Sequence, residues 1–174
     1  MGQLAGALQV AASDVKVQVE FNPKRATAYR QIGYAKHQLT KEQFRDNTVD
    51  AAEIAAQEAG NALYTVEVNP RGEGPICIVR ARYKVPGTTT YRELEWLVPF
   101  TGNAPALEQA SPAMRLAAGA SAFSEWLVAS PFAGEVTLDA LLSHLSGVPK
   151  VYGADVRPTK LEWMIRQAKS LEGK

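Results

Sequence analysis

Residues 15 to 21 read Val-Lys-Val-Gln-Val-Glu-Phe, an unbroken alternation of apolar and polar side chains. Such a period of two is incompatible with a helix and places Val15, Val17, Val19 and Phe21 on one face of a strand. A one-sided sheet is therefore expected, with these four residues turned inward and Lys16, Gln18 and Glu20 turned to water. Asn22-Pro23 ends the run as a turn, and residues 27–34 supply a second strand with Gly33 as a candidate bulge, so the two predict an antiparallel hairpin.

Three further runs, 61–68, 75–84 and 91–98, carry strand composition and are separated by turn-forming Asn-Pro-Arg-Gly-Glu-Gly and Pro-Gly stretches. Five strands joined by short turns predict a meander or sandwich. Residues 41–60, rich in Ala, Glu and Gln, read as helix by propensity.

Beyond Pro99 the texture changes, with the seam expected between 99 and 111. Ser111 as N-cap with Pro112 in the first helical position opens a helix that carries Leu116, Ala120, Phe123 and Leu127 on one side. Thr137 caps a shorter helix bearing Leu138, Leu141, Leu142 and Leu145 and stopped by Gly147. A third, starting near Pro158, carries Leu161, Met164, Ile165, Ala168 and Leu171. The whole predicts an α+β fold: an antiparallel β-sheet or sandwich over 14–99, and helices over 100–174 packed on it as one domain.

The net charge of +1 provides no long-range field to recruit nucleic acid or anionic lipid, and no nucleic-acid partner is expected. No stretch approaches the ~18 apolar residues of a membrane span, so no direct span is expected either. The single cysteine, Cys77, sits in the apolar run Ile76 to Val79 and reads as a buried, inert thiol.

Chemistry-bearing motifs are sparse. Ser121 lies in Gly-Ala-Ser-Ala-Phe, which lacks the second glycine of a nucleophile elbow, and its small neighbours 117–122 suit close approach of another element. His37 and His144 belong to no metal-ligand spacing. Gly72-Glu73-Gly74-Pro75 lacks the third glycine of a dinucleotide fingerprint and reads as a hairpin turn. Glu42, Asp46, Asp50 and Glu53 form a local acidic cluster whose spacing matches no calcium loop. The expectation is no catalytic residue, no cofactor and no metal, hence no enzyme.

Several stretches taken together resemble a known family. They are residues 14–23, Ala28-Tyr29-Arg30-Gln31-Ile32-Gly33-Tyr34, Ala62-Leu63-Tyr64, Arg82-Tyr83-Lys84, Ser130-Pro131-Phe132-Ala133-Gly134, Thr137-Leu138-Asp139 and Tyr152-Gly153. As a set they resemble the C-terminal domain of unknown function that follows the von Willebrand factor type A domain in bacterial YfbK-like proteins. The chain departs from that pattern at residues 50–58, where the family is rich in glycine, and there the resemblance favours an irregular or extended path over helix. The A domain's adhesion site uses Asp-x-Ser-x-Ser, which this chain lacks. The resemblance thus implies a non-catalytic structural or protein-interaction module beside an A domain, in the cell envelope or periplasm, with residues 1–13 a remnant of that preceding domain. The adjacent A domain and a further protein are the partners implied.

A small-ligand or carbohydrate-binding β-domain is the alternative, since Tyr29, Tyr34, Tyr64, Tyr83, Tyr91 and Trp96 all fall in the strand half. On the last helix Trp163 points away from the apolar stripe. It either packs under residues 151–156 or marks an interface, where tryptophan is enriched.

Overall fold

The computed structural model describes residues 10–32, 40, 42–48, 52–55, 60–102, 104–134 and 136–172. The fold class is α+β, with strands in the N-terminal half and helices in the C-terminal half. The chain divides into two compact units, Met1–Asn103 and Ala104–Lys174.

The strand unit contains β1 (Val10–Phe21), β2 (Ala26–Ile32), β3 (Ala52–Ala55), β4 (Leu63–Val68), β5 (Cys77–Lys84) and β6 (Tyr91–Val98). They form a four-stranded sheet in the order β3-β1-β5-β6 and a two-stranded sheet of β2 and β4, with every pairing antiparallel. Three expectations are corrected here. The first is the β1–β2 hairpin: β1 pairs with β3 and β5, while β2 lies in the other sheet. The second is the hairpin turn at residues 72–75, which instead connects β4 and β5 across the two sheets. The third is the helix over 41–60: the described part holds turns at 42–45 and strand β3, in keeping with the extended path.

The reason for the first two corrections is local. At Asn22 to Arg25 the chain crosses from one sheet to the other, held by backbone bonds from Arg25 and Ala26 to the Asn22 carbonyl. The 69–76 connection crosses beside it, and the two are stitched together. The Asn22 amide donates to the carbonyls of Glu73 and Pro75, and the Arg25 guanidinium donates to those of Asn69, Pro70 and Gly74. Arg25 also lies over the Phe100 ring at 4.2 Å. Gly72 is required in this packing, because a Cβ there would stand 2.0 Å from the Lys24 carbonyl oxygen.

β1 begins at Val10, so residues 10–13, expected as a remnant of a preceding domain, are part of the sheet; Leu4 and Leu8 lie outside the described residues. Gly33 and Tyr34 lie outside them as well.

The helical unit contains a 3₁₀ turn (Leu107–Gln109) and helices α1 (Pro112–Leu127), α2 (Leu138–His144), α3 (Val148–Tyr152) and α4 (Val156–Glu172). Ser111 and Thr137 cap α1 and α2 by accepting from the amides of Met114 and Ala140, and Gly147 ends the second segment at φ 75°. Phe123, Leu138, Leu141, Leu145, Leu161 and Ile165 form the core, flanked by Leu116, Trp126 and Ala168. The stripes are narrower than expected: Ala120 and Leu127 of α1 and Met164 and Leu171 of α4 are exposed. On α1 the buried line runs through Gly119 and Phe123, and Gly119 admits Leu145 so closely that a Cβ would meet its Cδ2 at 3.1 Å. This is the close approach that the small residues at 117–122 predict.

Candidate functional site

The two faces of the four-stranded sheet are distinguished by register. Val17 opposes Ala81, Val19 opposes Val79 and Phe21 opposes Cys77, and these continue across β6 as Leu94, Trp96 and Val98. Lys16, Gln18 and Glu20 share the other face with Arg80, Arg82, Glu93 and Glu95.

The expected burial is reversed at Lys16 and Val17, and Gln18 and Glu20 are buried to the same intermediate degree as Val15, Val19 and Phe21. Lys16 is 1% exposed and Val17 is 57% exposed, while Val15, Val19 and Phe21 are only half-buried. The cause is residues 42–48, which lie over the polar face. Phe44 is buried, the Asp46 carbonyl accepts from Lys16 Nζ, and Arg45 bonds Glu93 at 2.8 Å. Beneath them Asp14, at φ 49°, stands 3.5 Å from the Lys16 ammonium and accepts from the Tyr91 hydroxyl at 2.6 Å. That bond to the Asp14 carboxylate pushes the Tyr91 phenol above its ordinary pKa. The Arg82 guanidinium stacks 4.0 Å from the Tyr91 ring, and Arg80 bridges Glu20 and Glu95.

The apolar face has the opposite fate. Phe21 stacks on Tyr29 at 4.0 Å and meets Tyr64 edge-on at 5.3 Å, which joins the two sheets at that point. Elsewhere between them runs a groove of about 430 Å³, with Val17, Val19 and Val79 among its residues from one sheet and Tyr64, Val66 and Val68 from the other. Burial pushes the thiol of Cys77, also on this groove, above its ordinary pKa, as it does the Tyr64 phenol. Val17 of the groove remains exposed, as do Leu94 and Trp96, which share its face of the sheet by register, and Tyr29, which stacks on Phe21. The geometry can receive an apolar side chain or ligand.

The other residues singled out in the sequence are dispersed. Trp163 on α4 is 57% exposed, so residues 151–156 do not cover it. His144, at the end of α2, places Nδ1 2.7 Å from Oε1 of Glu108, and its carbonyl accepts from Arg115. Ser121 lies within α1. Asp46 accepts two bonds from Thr48, which hold its carboxyl below the ordinary range. His37, Asp50 and the side chain of Glu53 lie outside the described residues. Among those described, no group of three or more His, Cys, Asp or Glu residues is placed to hold a metal ion. No helix among them is long and apolar enough to cross a membrane.

Of the strand aromatics, Tyr64 lines the groove, Tyr29 stacks on the Phe21 that lines it, and Tyr83 and Trp96 share its face by register, whereas Tyr91 is engaged on the opposite face. The groove itself has a sequence signal, the strand alternation, but nothing in that alternation says which face is left open.

No solved structure matches the chain. A curated relative, the uncharacterized protein YfbK of Escherichia coli (strain K12), is 40% identical over 90 residues, which cover 49% of this chain and 15% of that protein. The match therefore concerns a small part of the relative's length. A family described as "Uncharacterized protein YfbK, C-terminal" matches residues 6–170, nearly the whole sequence. The chain belongs to this family, the C-terminal domain of the uncharacterized protein YfbK.

Proposed function

We propose that this chain is a non-catalytic structural or protein-interaction module, which accompanies a von Willebrand factor type A domain in a bacterial cell-envelope protein and receives an apolar element of its partner in the groove between the two sheets. The observation that carries the reading is the open apolar face: Val17 and Trp96 are each at least half exposed on a sheet whose opposite face buries Lys16. Contiguous exposed apolar surface on a soluble domain marks an interaction site more often than it marks chance. The groove offers hydrocarbon contact to an apolar side chain, which suits binding.

The groove volume also falls within the range of roughly 300–1,000 Å³ occupied by small ligands, which keeps an apolar small-molecule reading as the second. One experiment separates the two. The longer parent protein is purified with and without residues 10–172, and in a form carrying Val17→Asp. Loss of the same co-purifying protein from both altered forms supports the interaction module. Retention of all partners, with an apolar dye displaced from the groove by a cell extract's small-molecule fraction, supports the ligand reading and overturns the first.

A further inference from the structure

We infer that strand β6 is a homodimerisation edge, pairing antiparallel with β6 of a second copy in the register that sets Trp96 opposite its own counterpart. This goes beyond the groove reading, because it rests on the backbone edge of the sheet and not on the space between the sheets.

β6 ends the order β3-β1-β5-β6, so among the described strands only β5 pairs with it. Its eight residues pair with β5 without a register shift, and neither proline nor bulge interrupts Tyr91–Val98. Natural sheets protect such a long regular edge by bulges, proline, charged side chains or covering segments. Arg92, Glu93 and Glu95 put charge on the first part of β6, whereas its second part displays Trp96, Leu97 and Val98, which with Leu94 are 50%, 62%, 36% and 45% exposed.

The outward-facing backbone groups follow from the ladder. Val85 donates to the Thr90 carbonyl, and the Val98 carbonyl accepts from Ile76. Bonding in an antiparallel ladder alternates, so the groups of Arg92, Leu94, Trp96 and Val98 point toward β5 and those of Glu93, Glu95 and Leu97 point out.

A two-fold axis normal to the sheet joins like faces, so opposed residues have the same parity. Registers centred on Glu93 or Glu95 set each of these carboxylates against its own copy, and one centred on Leu94 sets Glu93 against Glu95. A centre at Arg92 opposes two guanidinium groups. Like charges directly opposite are unfavourable. A centre at Leu97 runs at once into Pro99, which has no N–H to donate. The centre at Trp96 sets no like charges opposite one another and meets Pro99 only at its ends, opposite Glu93, beyond an intact bonded pair on each side of the axis. It opposes Trp96 to Trp96, Leu94 to Val98 and Glu95 to Leu97. The last pair exchanges both outward bonds on each side of the axis, and the indoles meet at a non-hydrogen-bonded position, where cross-strand side chains are closest.

The test uses the full chain in sedimentation velocity across a concentration series, with two variants. The weight-average mass is expected to rise toward twice that of the monomer in the wild type. It should stay at the monomer value in Leu97→Pro, which removes an outward N–H and leaves the β5 ladder intact. Circular dichroism of that variant must match the wild type. If it does not, the decision passes to Trp96→Cys under mild oxidation. At the proposed centre the two Cα atoms approach to about 4.5 Å, so cross-linking should be roughly tenfold faster than for Leu94→Cys, whose two copies lie four residues out of register. A wild-type chain that stays monomeric, or a Trp96→Cys variant that cross-links no faster than Leu94→Cys, overturns the proposal.

Discussion

An ammonium group withdrawn from water needs acceptors and a counter-charge, and Lys16 has both in the Asp46 carbonyl and the Asp14 carboxylate. Removing the ammonium while keeping the chain length, in Lys16→Met, leaves that carbonyl without its donor and Asp14 without its counter-charge. The expected cost is about 1–3 kcal/mol in urea unfolding, and an unchanged midpoint would show the contact to be dispensable. A second residue-scale expectation concerns acid. Arg157 donates side-chain and backbone bonds to Asp155 at the start of α4 and holds its carboxyl at about 2, well below its ordinary 3.8. The group is depressed in the folded state, so its stabilisation is complete above the unfolded pKa of about 4 and is lost as pH falls through about 2. Asp155→Asn should therefore flatten the decline in melting temperature between those limits and change its slope little above pH 5. A wild-type Asp155 titrating near 4 by NMR would contradict this.

Elements were legible where a single period governed them. The alternation at 15–21 and the caps at Ser111 and Thr137 lead directly to β1, α1 and α2, since strand period and cap chemistry are local. Pairing was not legible. Asn22-Pro23 is compatible with a hairpin, and only Asn22 and Arg25 bonding to carbonyls some 44–53 residues away turns the chain into the other sheet. The five-residue α3 and four-residue β3 are too short for periodicity to show. On α1 the small residues had a readable purpose, and it yields a prediction. Gly119→Val forces branched carbon into the space of Leu145, and the expected cost is about 1–3 kcal/mol from overpacking. Combining it with Leu145→Ala should cost less than the sum of the two single changes, because the second makes room for the first. Additive losses in chemical denaturation would place the strain elsewhere.

At the scale of the whole molecule, the α+β division was readable because the hydrophobic period changes near Pro99, while the exposed surfaces were not. Burial on β1 is decided by residues 42–48, which cover the lysine face, and no pattern within 15–21 records that. The result is two exposed apolar features on different units: the groove face around Val17, and on α4 the outer line of Val156 and Trp163, 72% and 57% exposed and two helical turns apart. If the chain serves as an interaction module, charge placed on either should weaken partner binding without unfolding the chain. Val17→Asp and Trp163→Glu each replace a side chain that is already more than half in water, so each should shift unfolding by no more than about 0.5 kcal/mol. Binding to a separately produced A domain of the kind proposed as the partner, followed by calorimetry, should weaken roughly tenfold or more for each, the range that loss of one interface anchor produces. Weakening by Val17→Asp alone would confine the interface to the groove, and weakening by Trp163→Glu alone would move it to α4. Wild-type affinity in both variants, with both folded, would remove the A domain as the partner of either surface. Unfolding of the Trp163→Glu chain would instead assign that indole to the support of its own helical unit.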